Sequence, residues 1–148
     1  MYAHILVPHD GTRLSEAALV QAMELAKTLS ARIRVLHVIA DFVGDPTGQV
    51  PTLSSTAGEA YQQRAIAEAE AILAGAARTG SAHDVATETQ YVFAADPYKA
   101  IVDVSEQQGI DLIVMASHGR RGLESLLIGS ETQKVLTHCR IPVLVVRN

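Results

Sequence analysis

Hydrophobic residues gather in five short stretches that alternate along the chain with longer, more polar stretches. The short stretches lie at residues 5–8, 33–39, 86–93, 112–116 and 142–146. Several are continuous apolar runs such as ILV, LIVMA and VLVV, which are typical of strands covered on both faces. They predict a parallel β-sheet sandwiched by helices.

The stretches between the strands repeat apolar residues at the three- and four-residue spacing of helices. Four helices are predicted, at residues 14–29, at 59–77, from Asp96-Pro97 to Gly109, and at 129–138. Asp96 is a residue type favoured at a helix N-cap, and proline suits the first helical position. Residues 41–57, rich in Gly, Pro, Ser and Thr, are predicted to form a surface loop, either a lid or a plain flexible connection.

Strands that alternate with helices of this length imply right-handed β-α-β crossovers. We therefore predict an α/β fold, with a single open, five-stranded parallel sheet and helices on both faces, of Rossmann-like type. A chain of 148 residues has the size of one ordinary domain, so residues 1–148 are expected to form a single domain.

Composition narrows the classes of function. The net charge of −4 argues against a nucleic-acid partner, and no apolar run reaches the 18 residues of a membrane-spanning helix. The first residues, MYAHILVPHDG, lack a signal-peptide pattern, and a single cysteine, Cys139, favours a reducing compartment. We expect a cytoplasmic protein that contacts neither nucleic acid nor membrane. The six histidines show no metal-ligand spacing, so no structural metal is predicted.

Candidate chemistry follows the first and fourth strands, because ligands of open parallel sheets bind beyond the carboxyl ends of the strands. The first strand runs into PHDGT, and the fourth into SHGRRG, after which Gly129-Ser130 opens the last helix. Glycine permits close approach of the backbone, and the first amides of a helix are open donors. Arg120 would add positive charge. These features predict a phosphate-binding site, although neither a P-loop nor a G-x-G-x-x-G motif is present.

Taken together, these segments resemble the universal stress protein family. The resemblance covers nearly the whole chain: HILVPHDGT, VLHVI, DP at 96–97, DLIVMASHGRRGL, and GSETQKVL followed by IPVLVVR. The ATP-binding branch of that family carries glycine, two residues, glycine, nine residues, then glycine with Ser or Thr. Gly119 and Gly129-Ser130 are in register with it, but Ala116 replaces the first glycine. The added methyl group would either crowd a ligand or be harmless if Ala116 has a negative φ.

The resemblance implies an adenine nucleotide alpha hydrolase-like fold and a binding site for ATP, or for ADP or AMP, with Mg²⁺ arriving on the nucleotide. It implies these site residues: Pro8, His9 and Asp10 beside the nucleoside, Val38 at the base, Met115, Ala116, His118, Gly119 and Arg120 on the ribose and phosphate side, and Gly129, Ser130, Glu131 and Thr132 at the terminal phosphates. It also implies a homodimer formed by the C-terminal strand, and a regulatory or sensor role in a stress response with an unidentified protein partner.

Alternatives remain open from the residues themselves. Asp10 is equally a ligand contact or a residue that closes the turn before the first helix. No catalytic residue is predicted, because no general base for water is evident. Besides a nucleotide-binding regulator, the alternatives are a slow ATPase in the same pocket, or a nucleotide-free dimeric stress protein in which Ala116 marks loss of the site.

Overall fold

The computed structural model describes residues 1–41, 56–119 and 128–147, and for residues 56 and 57 only the backbone. In chain order the elements are β1 (His4–Pro8), α1 (Arg13–Leu29), β2 (Arg32–Ala40), α2 (Thr56–Ala82), β3 (Thr87–Ala94), α3 (Pro97–Gln107), β4 (Leu112–Ala116), α4 (Ser130–His138) and β5 (Val143–Val146). No helix within the described ranges is both long and apolar enough to span a membrane.

The five strands form one open sheet in the order β3-β2-β1-β4-β5, and every neighbouring pair is parallel. Helices α1 and α2 cover one face, where Leu19 and Leu73 pack with Val7, while α3 and α4 cover the other face beside Leu6. Because the middle of β1 is buried on both faces, its successive residues Ile5, Leu6 and Val7 are all apolar. The predicted fold class is therefore confirmed.

The second helix is longer than predicted, Thr56–Ala82 instead of 59–77. Its C-terminal turns contain Gly80, a residue type that disfavours helix, but here tertiary contact overrides propensity. A Cβ at Gly80 would lie 2.2 Å from Thr87 Oγ1, so glycine lets α2 pack closely on the start of β3. Residues 56 and 57 of the predicted loop are helical, which corrects that prediction, and residues 42–55 lie outside the described part of the chain.

Strands β1 and β4 separate toward their carboxyl ends. β1 pairs with β2 as far as Pro8 and Leu36, but with β4 only at Ile5 and Leu6. The amide of His9 donates to the Leu36 carbonyl on β2 (2.8 Å), and hydrogen-bonding groups alternate sides along a strand, so the nitrogen of Pro8 faces β4. Proline has no N–H to donate there. A crevice consequently opens between β1 and β4, where the topology reverses direction.

Candidate functional site

The turn after β1 forms one wall of this crevice. Asp10 Oδ1 accepts hydrogen bonds from the Thr12 amide (3.0 Å) and from the Thr12 hydroxyl (2.6 Å). Gly11 has a φ of 83°, in the left-handed region that favours glycine. Thr12 then caps α1 by accepting from the Ser15 amide at 3.2 Å. Asp10 thus closes the turn through one of its oxygens.

The other Asp10 oxygen reaches the opposite wall. A Cβ at Gly119, in the segment after β4, would lie 2.9 Å from Asp10 Oδ2. The absence of a side chain at Gly119 therefore lets the two strand-end segments approach each other around the carboxylate. Asp10 and Gly119 are 109 positions apart along the chain, and the structure brings these two predicted site residues together.

His9, predicted beside the nucleoside, lies inside the wall and is only 6% exposed. Its ring Nδ1 accepts from the Gly11 amide at 3.1 Å, and its Nε2 lies 2.9 Å from Glu16 Oε2. Its carbonyl accepts from His37 Nδ1 at 2.8 Å. The polar atoms of His9 are thus engaged within the protein, and a direct contact of this residue with a nucleoside stays a prediction. Pro8, at the end of β1, is half-buried.

Ala116 ends β4 with the extended backbone of a strand and a negative φ. Its methyl group belongs to the core on the α1 side of the sheet, together with Val7 and Ala18. The replacement of glycine at this position therefore introduces no backbone strain. Met115, its neighbour, packs into the core on the α3 and α4 side. Ala116 thus has the negative φ under which its methyl group was expected to be harmless, and its effect on a ligand stays a prediction.

Gly129 lies directly against the segment that follows β4. Its amide donates to the Ser117 carbonyl at 2.6 Å, and a Cβ would lie 3.1 Å from that oxygen and 3.2 Å from His118 Cα. Its φ of −68° is ordinary, so close approach is the reason for glycine here. Gly129 provides no side-chain cap to α4, and the exposed Ser130 follows as the first helical residue. The amino terminus of α4, the positive end of its dipole, therefore lies beside the segment after β4 and has no side-chain hydrogen bond from its N-cap.

Glu131 and Thr132, predicted at the terminal phosphates, have partners within the protein. Glu131 Oε2 accepts from the Tyr98 amide at 3.0 Å, and Oε1 accepts from Lys134 Nζ at 3.1 Å. Thr132 is buried and donates to the Ala116 carbonyl at 3.0 Å. These bonds fix the start of α4 to α3 and to β4. Contact of either side chain with a phosphate remains a prediction.

The Glu131 carboxylate stands where Asp96 was predicted to cap α3. Asp96 occupies the N-cap position before Pro97, but it makes no side-chain hydrogen bond to the helix. Instead it pairs with Lys99 at 2.9 Å, and the hydrogen bond and charge of that lysine lower the pKa of Asp96. The local motif predicted the start of the helix correctly and the capping side chain wrongly.

Three further residues were predicted at the site: Val38, His118 and Arg120. Val38 is half-buried on β2, where it pairs with Val92 and packs on the α3 side. His118 Nδ1 lies 3.0 Å from Ser117 Oγ. Arg120 lies outside the described residues. In the ranges that the structure covers, no three His, Cys, Asp or Glu side chains are grouped closely enough to hold a metal ion.

Sequence reasoning missed the side chains that hold the wall from behind. Glu16 was not among the predicted site residues, yet it bonds both His9 and Thr79 of α2. Ser15, buried, donates to the Thr12 carbonyl at 2.9 Å. A buried histidine followed seven residues later by a carboxylate is a weak signal, because the pairing depends on the path of the turn.

The fold and the crevice define a Rossmann-like α/β protein whose candidate site lies at the topological switch point. The model of the universal stress protein family matches residues 1–147, and the chain belongs to that family. Universal stress protein YxiE of Bacillus subtilis is 31% identical over 99% of this chain and 100% of its own length.

Solved structures give the same result for the fold. The structure of MJ0577, a universal stress protein of Methanocaldococcus jannaschii, superposes with a TM-score of 0.84 at 26% identity and covers 100% of this chain and 97% of its own. A universal stress protein solved in complex with cAMP has a TM-score of 0.71 at 22% identity, with coverage of 99% and 97%. The second likeness concerns the fold alone.

Proposed function

We propose that the protein binds an adenine nucleotide, ATP or else ADP or AMP, in the crevice between β1 and β4. Gly129 is the observation that carries the proposal. It is the N-cap of α4, and a Cβ added to it would lie only 3.1 Å from the Ser117 carbonyl oxygen. Backbone amides bind phosphate at helix N-termini that have no capping side chain and that follow a glycine, because the ligand can then approach the backbone closely. The spacing from Gly119 to Gly129-Ser130 supports the ATP-binding branch of the family.

The residues of the crevice would have different roles in nucleotide binding. The α4 amides and Ser130 would receive phosphate, with Mg²⁺ arriving on the nucleotide and Arg120 adding charge. Asp10 and His118 would line the ribose side, and Val38 would offer its backbone to the base. Pro8, His9, Glu131 and Thr132 would act by holding the walls, as their contacts within the protein favour. A universal stress protein of the same fold was solved in complex with cAMP, itself an adenine nucleotide, which supports the proposed class of ligand.

We further propose that nucleotide occupancy acts as a regulatory signal in a stress response, passed on by a homodimer to a protein partner. The strand that would form the dimer, β5, is the last strand of the sheet order and pairs with β4 on one side. Its Leu144 is 41% exposed, large for an apolar side chain in a strand. An edge with such residues is open to pairing with a second chain.

A thermal melt with ATP and Mg²⁺, with ADP, with AMP and without ligand tests the binding proposal. A nucleotide at 100 times its Kd should stabilise the native protein by about 2.7 kcal/mol, or roughly 5–10 °C in Tm for this size. Gly129→Val should abolish the shift, because its side chain would press on the backbone of Ser117 and His118.

The matched control is Gly75→Ala on α2, where an added Cβ meets only the Arg78 guanidinium at 3.6 Å. This variant should keep the full nucleotide shift. Circular dichroism of Gly129→Val without ligand confirms that it is folded. If the native protein shows no shift with any nucleotide at millimolar concentration, the binding proposal is refuted, and the nucleotide-free stress protein becomes the better description.

A further inference from the structure

We propose that Glu16 is a positioning residue of the nucleotide crevice, acting through His9 on the turn that carries Asp10. The inference rests on the proposed function and adds a residue that does not itself reach the crevice. Glu16 lies in the first turn of α1, with its side chain 47% exposed, whereas the His9 side chain it contacts is 5% exposed. A half-exposed carboxylate thus holds a buried imidazole.

The hydrogen-bond directions follow from the donors. The Gly11 amide can only donate, so His9 Nδ1, 3.1 Å away, must be the acceptor and carry no hydrogen. A neutral His9 therefore has its hydrogen on Nε2, from which it donates to Glu16 Oε2 at 2.9 Å. Glu16 fixes the ring in the one orientation in which Nδ1 can receive the Gly11 amide.

The orientation of the ring sets the orientation of the turn. Gly11 has a φ of 83°, and the hydrogen bond from its backbone N–H to His9 Nδ1 holds the backbone in that conformation. Asp10, immediately before it, directs Oδ1 to Thr12 and Oδ2 toward Gly119 only while the turn keeps this shape. Loss of the Glu16 bond should therefore loosen the Asp10 carboxylate in the crevice.

Glu16 is itself held from α2. The Thr79 hydroxyl lies 3.2 Å from Glu16 Oε1, so the carboxylate bridges the turn and the second helix. The turn after β1 is thereby joined to α1 and α2 by hydrogen bonds across sequence separations of 7 and 63. The arrangement is a support for the wall, since none of these contacts faces the opposite segment at Gly119.

The test compares Glu16→Ala, Glu16→Gln and Glu24→Ala, the last being an exposed carboxylate on the same helix. Glu16→Ala should weaken binding of ATP with Mg²⁺, or of the nucleotide that binds best, by about five- to tenfold in calorimetric titration. Glu16→Gln keeps a carbonyl acceptor for His9 and should recover most of the affinity. Because it lacks the charge, its recovery separates the hydrogen bond from any effect of charge on the α1 dipole. Glu24→Ala should bind like the native protein.

Hydrogen exchange on the nucleotide-free protein provides the second measurement. In Glu16→Ala the Gly11 amide should exchange about tenfold faster, while the core amide of Val35 on β2 should not change, which distinguishes local loosening from lower global stability. Unchanged Gly11 exchange, or native affinity in Glu16→Ala, would overturn the inference. If the native protein binds no nucleotide, the proposed function fails; the positioning of the turn by Glu16 is then decided by the exchange data alone.

Discussion

Two glycines in α2, five residues apart, should respond to alanine in opposite directions. At Gly75 a new Cβ meets only the flexible end of Arg78 at 3.6 Å, which is ordinary contact. Alanine there should stabilise the protein by about 0.5–1 kcal/mol, because glycine loses more backbone freedom on folding. At Gly80 the same Cβ would lie 2.2 Å from Thr87 Oγ1 and 2.7 Å from Thr87 Cβ.

The overlap at Gly80 is difficult to relieve. Thr87 Oγ1 donates to the Val85 carbonyl at 2.9 Å, and Thr87 Cβ is fixed to the backbone of β3, so α2 and β3 must move apart. Overpacking of this kind costs about 1–3 kcal/mol, and the gain in helix propensity offsets up to about 1 kcal/mol of it. We therefore expect Gly80→Ala to lower the free energy of unfolding by about 1–2 kcal/mol.

Urea denaturation and thermal melts measure both variants. Gly75→Ala should raise Tm by about 1–4 °C and Gly80→Ala should lower it by about 2–8 °C, for a chain of this length. In a double-mutant cycle, Thr87→Ala should cost less in the Gly80→Ala background than alone, because it removes part of the overlap. If both alanines raise stability equally, helix propensity dominates and the close contact with Thr87 does not constrain the fold.

Two further predictions concern the amino-terminal edge of the sheet and the β5 edge. Burial first, and then the charges of Arg32 and Arg34, lower the pKa of His4 below its ordinary 6.5. The folded state thus favours neutral His4, and the stability gained from this is present above pH 6.5 and is lost as the pH falls through the lowered pKa. The free energy of unfolding should therefore fall less toward pH ~5 in His4→Gln than in the native protein. Urea titrations at several pH values would show this difference. Leu144→Lys should convert a homodimer to monomers in analytical ultracentrifugation; a native protein that sediments as a monomer would contradict the proposed β5 pairing.

The sequence was most informative where one physical cause dominates. Continuous apolar runs predicted strands buried on both faces, and the observed strand bounds differ from the predicted ones by one residue at most. The end of α2 could not be predicted in this way, because the close packing of Gly80 on Thr87 joins two elements and leaves no local pattern in the sequence. The cap of α3 has the same origin: Glu131, 33 residues from Tyr98, replaces the neighbouring Asp96.

In the candidate site, too, some residues could be predicted from the sequence and others depend on the folded structure. Glycine spacing could identify Gly119 and Gly129 because close approach requires that residue type wherever the chain runs. The consequence of Ala116 could not be read from the sequence, since it depends on which side of the sheet the methyl group enters. Glu16 was missed because its importance lies in a bond to a buried ring, and the ring is buried only once the turn has formed.

The missing amide of Pro8 has a consequence for the kinetics of binding. Because Pro8 has no N–H to donate toward β4, the β1–β4 pair has no hydrogen bond from this position, and none has to break there when a ligand enters. This part of the strand pair therefore adds no conformational step to the association of the proposed nucleotide. At the proposed site, the ring of one proline thereby favours binding that follows changes in nucleotide concentration without a delay from strand separation.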